Sequence, residues 1–112
     1  METSTRSRFQ ALQTPTSFQN SVFAIYNPSG GIPFIDFANI SIQTGALVDP
    51  QVLNQYAWNA TIANLTNTNS SVSQALVGEA DVFTAEICRT TNMTPSSVCS
   101  QPYVSKLLKE LA

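Results

Sequence analysis

The chain has 112 residues, a net charge of -2 and only 11% charged side chains, five of them Lys or Arg. That length fits one small domain or a piece of one. So few cations exclude an electrostatic nucleic-acid surface, which needs clustered Lys or Arg to displace counterions. Histidine is absent and cysteine occurs twice, which removes the commonest general base, the Ser-His and Cys-His nucleophile pairs, and any four-ligand zinc centre not built largely from carboxylates. No catalytic residue, metal site or cofactor is expected.

Residues 1–13 (METSTRSRFQALQ) are polar, lack the apolar stretch of a signal peptide and read as a flexible tail. Thr14 is a candidate N-cap and Pro15 suits the first helical position, and Phe18, Val22, Phe23 and Tyr26 then recur at helical spacing. A helix is therefore predicted over 16–26, ended by Asn27-Pro28. After the turn composition of Pro28-Ser29-Gly30-Gly31, the stretches Ile32–Phe37 and Ile40–Thr44 flank Ala38-Asn39 and read as a β-hairpin. Pro33 has no N–H for a ladder and belongs at the strand entrance.

Asp49-Pro50 repeats the cap-plus-proline signature, and Val52, Leu53, Tyr56, Ala57, Ala60 and Ala63 predict a helix over 50–64. Beyond a polar loop, the longest periodic segment runs over 71–90, with Val72, Leu76, Ala80, Phe83 and Ile87 on one stripe and Cys88 beside it. A last helix is predicted over 102–111 from Val104, Leu107, Leu108 and Leu111. The order is α-β-β-α-α-α: an α+β domain over residues 14–112, with one hairpin packed against helices.

Cys88 falls late in the long helix, and the segment to Cys99 contains Asn92, Pro95 and paired serines, so the chain can reverse there. A structural disulfide is the favoured reading; buried free thiols and a redox pair are the alternatives. Redox pairs normally occupy Cys-x-x-Cys at a helix N-terminus, where the dipole favours thiolate, whereas Cys88 lies near a C-terminus. Asn39, Asn59, Asn64, Asn69 and Asn92 each open an Asn-x-Ser/Thr sequon and are candidate glycosylation sites. With the cysteine pair and the scarcity of charge they favour an extracytoplasmic or cell-surface setting, although the first residues are not a signal peptide. No apolar window approaches a membrane span. Asp36 reads as the solvent-facing member of an alternating strand, and Tyr56, Trp58 and Tyr103 as core or interface anchors. Glu79, Asp81 and Glu86 read as a solvated face of the long helix.

The stretch Tyr26-Asn27-Pro28-Ser29-Gly30-Gly31-Ile32-Pro33-Phe34-Ile35-Asp36-Phe37-Ala38-Asn39 resembles an archaeal family, domain of unknown function nine-two-nine, described as thioredoxin-like. The resemblance continues through Gly45–Leu53, Trp58, Gln74–Gly78, Thr84–Cys88 and Pro95–Cys99, nearly all of the chain after Thr14. It implies the C-terminal half of a thioredoxin-like domain, in which Ile32-Pro33 corresponds to the cis-proline beside the substrate cleft. The residues alone would favour an ordinary trans proline at a strand edge. Where the family carries a Cys-Pro-x-Cys type motif upstream, this chain has no cysteine before Cys88, so no redox role passes to any residue here.

A two-stranded hairpin is marginal by itself, and Phe34, Ile35, Phe37, Ile40 and Ile42 exceed what helices on one side can bury. The expectation is a homo-oligomer, or a complex with a separately encoded N-terminal half. Three functions follow: a non-catalytic thioredoxin-like binding or assembly module, the C-terminal half of a split thiol-disulfide oxidoreductase, or a structural subunit of a surface or viral assembly.

Overall fold

A computed structural model describes residues 2–5, 8–11 and 13–112, the first two stretches as backbone. Strands β1 (Glu2–Thr5) and β2 (Arg8–Ala11) pair antiparallel, with Glu2 opposite Ala11 and Thr5 opposite Arg8. This hairpin falls within the stretch whose composition suggested a tail; the other tail positions before Gln13 lie outside the described residues.

Helix α1 (Ser17–Tyr26) begins two residues later than Pro15 would place it, because Gln19 completes a capping box with Thr16. The Gln19 N–H donates to Thr16 Oγ1 at 3.2 Å and the Thr16 N–H to Gln19 Oε1 at 2.8 Å. Its C-cap, Asn27, is buried and closes the following turn from both sides: its Nδ2 donates to the Gly31 carbonyl at 2.7 Å and its Oδ1 accepts from the Gly31 N–H at 3.0 Å. The chain then enters β3 (Phe34–Phe37), which pairs antiparallel with β4 (Ser41–Thr44) in the register Phe34–Thr44 and Phe37–Ser41. In the three-residue connection Ala38–Ile40, Ala38 and Asn39 both take positive φ (50° and 61°), the handedness of a type I′ turn, which the Ile40 N–H closes by donating to the Phe37 carbonyl at 3.0 Å. Asp36 is half-buried rather than fully solvent-facing, and its Oδ1 accepts the Asn39 N–H at 2.7 Å, locking that turn.

The helix expected over 50–64 is divided into α2 (Pro50–Asn54) and α3 (Trp58–Asn64), with Ala57 extended between them. Helical periodicity survives the break, which is why the pattern reads as one helix. Two short helices can each lie against α4 (Ser71–Thr90), as both do here. Beyond α4 come α5 (Ser96–Cys99), a single turn with no periodicity to announce it, and α6 (Pro102–Glu110).

The core gathers where α4, α5 and α6 meet. Ala85, Cys88, Cys99 and Val104 are buried there, with Leu107, Leu108 and Leu111 packed against them. The stripe expected on α4 turns accordingly. Val72 is buried, but at the C-terminal end the buried positions are Ala85, Glu86 and Cys88, while Ile87 is 51% exposed. The cause is the attachment at Cys88, which brings α5 and α6 over the face carrying Ala85 and Cys88, three residues apart on one side of the helix. The result is an α+β fold with a two-stranded antiparallel hairpin, β3–β4, beside several helices.

Candidate functional site

Cys88 and Cys99 are joined by a disulfide between the end of α4 and the end of α5. Both sulfur-bearing residues are almost completely buried. The bond closes a loop in which Thr91 Oγ1 donates to the Thr94 carbonyl at 2.7 Å and the Met93 N–H to the Cys88 carbonyl at 2.7 Å. Thiol chemistry requires an accessible sulfur; sealed in the core, this bond is placed to hold α5 and α6 on α4.

The opposite end of the chain is open. Of α1, only Val22 is buried, whereas Phe18 is 65% and Ile25 68% exposed. Phe23 meets Phe34 edge-to-face, with ring centroids 5.3 Å apart, and this contact joins α1 to the hairpin. Between α1 and β3 lies an open groove of about 890 Å³, walled by Phe18, Val22, Phe23, Phe34 and Asp36 and floored by Gln13 to Thr16. β3 pairs with β4 alone, so among the described residues its outer edge carries unpaired backbone groups.

Ile32-Pro33 leads into that hairpin. Both residues are exposed, the peptide bond between them is cis, and so is Thr94-Pro95. Pro33 stands outside the buried cluster that holds the disulfide. Of the aromatic residues marked as anchors, Trp58 is 80% exposed at the first turn of α3, and Tyr56 and Tyr103 are partly exposed.

The five sequons differ in their surroundings. Asn39, Asn59, Asn69 and Asn92 are exposed, in the hairpin turn, at the start of α3, in the α3–α4 loop and just past α4. Asn64 is half-buried, and its Nδ2 is committed to the Ala60 carbonyl at 2.9 Å. In the Asn39 sequon the hydroxyl of Ser41 is buried without a hydrogen-bond partner among the described residues.

Glu86 departs most from the sequence reading. It is not part of a solvated face but only 5% exposed. Its Oε2 sits 3.7 Å from Arg89 Nη1, beyond hydrogen-bond reach. Charge at a helical position usually means solvent, and nothing local in the sequence distinguishes Glu86 from Glu79 or Asp81. Among the described residues, no three His, Cys, Asp or Glu side chains converge as a metal site, and no helix is long and apolar enough to cross a membrane. Comparison with family models, with curated proteins and with solved structures finds no match to this chain.

Proposed function

We propose that this chain is a non-catalytic, thioredoxin-like binding or assembly module, which pairs with a second copy of itself through α1 and the outer edge of β3. One observation carries the reading: among the described residues, the helix face and the strand edge that flank one groove are both left without a partner. Large apolar side chains exposed together rather than singly mark an interaction surface. The low charge of the chain fits such an interface, whose buried centre is depleted of charged residues.

A standard interface takes about 800 Å² from each partner. Pairing β3 with β3 of a second copy about a two-fold axis extends two strands to four, enough for an independently stable sheet. The disulfide supplies a rigid body on which this face is mounted.

Sedimentation velocity from 1 to 100 µM, with native mass spectrometry under non-reducing conditions, tests the proposal. A homodimer that dissociates on substituting Phe18→Ser together with Ile25→Ser is the expected result. Recovery of a one-to-one complex with a Cys-x-x-Cys protein would instead favour the split oxidoreductase, with Pro33 as a cleft residue. Regular polymers would favour a structural subunit.

A further inference from the structure

The ladder of the β3–β4 hairpin decides which backbone groups face outward. The Gly45 N–H donates to the Pro33 carbonyl at 2.7 Å, and Phe34 stands opposite Thr44. Bonded and non-bonded pairs alternate along an antiparallel ladder, so Pro33, Ile35 and Phe37 turn their backbone groups toward β4. Phe34 and Asp36 turn theirs to the open edge, where nothing among the described residues pairs with them. Besides being kept short, natural edges are blunted by proline, charge or a bulge. Among the described residues none of the three protects this edge. The register runs without a bulge. The N–H that Pro33 lacks would lie on the inner side, where Gln43 Nε2 donates to the Gly45 carbonyl at 3.1 Å in its place. The charge on the strand, Asp36, is folded back onto the Asn39 N–H at 2.7 Å.

Resting on the self-association proposed above, we infer that the second copy joins this edge antiparallel in one register, with Ile35 on the two-fold axis and Asp36 opposite Phe34 of the second copy. Two-fold pairing centred on Phe34, Ile35 or Asp36 sets outward groups against outward groups. Centring on Asp36 places two carboxylates directly opposite each other, a destabilising pair. It also carries the ladder into Ala38, whose positive φ has already left the strand. Centring on Phe34 sets Asp36 against Ile32, which precedes the strand. Centring on Ile35 pairs Phe34 with Asp36 on both sides of the axis, so every outward N–H and carbonyl of the two strands is used. Asp36 is thus the residue that selects the register. The packing agrees with an antiparallel arrangement. Phe34 meets Phe23 of α1, and Phe37 meets Phe83 of α4, so the two helices lie on opposite sides of the hairpin. An axis perpendicular to the sheet preserves those sides, and both α1 helices, with exposed Phe18 and Ile25, share one face of the four-stranded sheet. Parallel pairing would instead put α1 of one copy on the side of α4 of the other.

Hydrogen exchange of the whole oxidised chain, read amide by amide by NMR, tests the register without altering the strand. In the dimer the Phe34 and Asp36 amides should exchange about tenfold or more slowly than in the Phe18→Ser, Ile25→Ser monomer. The Ile35 and Phe37 amides, already turned to β4, should slow by a smaller factor. Cross-linking reads the axis itself. Residues opposite each other at a non-bonded antiparallel pair have Cα atoms about 4.5 Å apart, within disulfide reach. Ile35→Cys should therefore cross-link to itself under mild oxidation with the native disulfide intact, and Phe34→Cys should not. Should Ile35→Cys fail to fold, the exchange of the unaltered strand still decides. Self-cross-linking of Phe34→Cys with none from Ile35→Cys would overturn the register while self-association stands. A sedimenting dimer whose Phe34 and Asp36 amides stay unprotected would do the same. A chain that is monomeric from 1 to 100 µM overturns both the register and the self-association on which it rests.

Discussion

The two ends of this molecule use apolar residues in opposite ways. Around the disulfide, α4, α5 and α6 turn Ala85, Cys88, Cys99 and Val104 toward one another and leave them 2% exposed or less. Around α1 and β3, Phe18, Ile25, Tyr26 and Ile32 remain between 49% and 82% exposed. One end completes its core within the chain, and the other ends in a groove and an unpaired strand edge. The comparison teaches that apolar content alone does not decide where stability lies. What decides is whether the topology returns a second element to cover the first. A covalent tie brings α5 and α6 back onto α4, and among the described residues nothing comparable returns to α1.

The largest expected effect tests the covalent tie. Replacing both Cys88 and Cys99 with Ala releases a loop closed across 11 positions, which should cost roughly 3 kcal/mol on the chain-entropy account. Urea unfolding followed by circular dichroism reads it, and hydrogen exchange should show protection lost in α4 and α6 before it changes in α1. If α1 loses protection equally, the two ends are one cooperative unit and the contrast drawn here fails.

Val104 and Asn27 come next. Val104 is fully buried, so Val104→Ala is expected to remove about 2 kcal/mol, from lost burial plus the space left behind. Asn27→Ala takes away both bonds that close the turn after α1 and leaves the Gly31 N–H and carbonyl without those partners. A cost of about 2 kcal/mol follows from such uncompensated groups, and it should be read in the thermal midpoint. This residue shows that the open end has firm local structure even where it lacks a covered face.

Thr16→Ala removes the side-chain half of the capping box and should cost about 1 kcal/mol, seen as fraying of the first turn of α1 by hydrogen exchange. The smallest effect on stability is the most telling. Phe18→Ser with Ile25→Ser is expected to change the unfolding free energy of the dissociated monomer by no more than about 0.5 kcal/mol per site, because exposed positions contribute little. Each equivalent change at Leu107 or Leu108, partly buried against the disulfide core, should cost more, about 1 kcal/mol.

Much of this contrast was legible in the sequence. Helical spacing placed α1, α4 and α6 to within a residue or two, and β-branched and aromatic runs around Ala38-Asn39 placed the hairpin. The disulfide was readable from a Cys near a helix C-terminus followed by a segment able to reverse. The break between α2 and α3 was not, because Tyr56, Ala57 and Ala60 keep helical spacing across it. Single-turn α5 is too short to have a period. Glu86 was misread because helical periodicity reports where a face can point and not what arrives to cover it. Its burial follows from elements folded back by the disulfide and from β4, both distant in sequence.

The central claim is that the uncovered face of α1 and the outer edge of β3 are an interface between copies. Its most direct measurement is the sedimentation coefficient of the oxidised chain across 1 to 100 µM, alongside the Phe18→Ser, Ile25→Ser variant. A concentration-dependent dimer that the double substitution reduces to monomer is the predicted result. A wild-type chain that stays a single monomeric species throughout that range would contradict it.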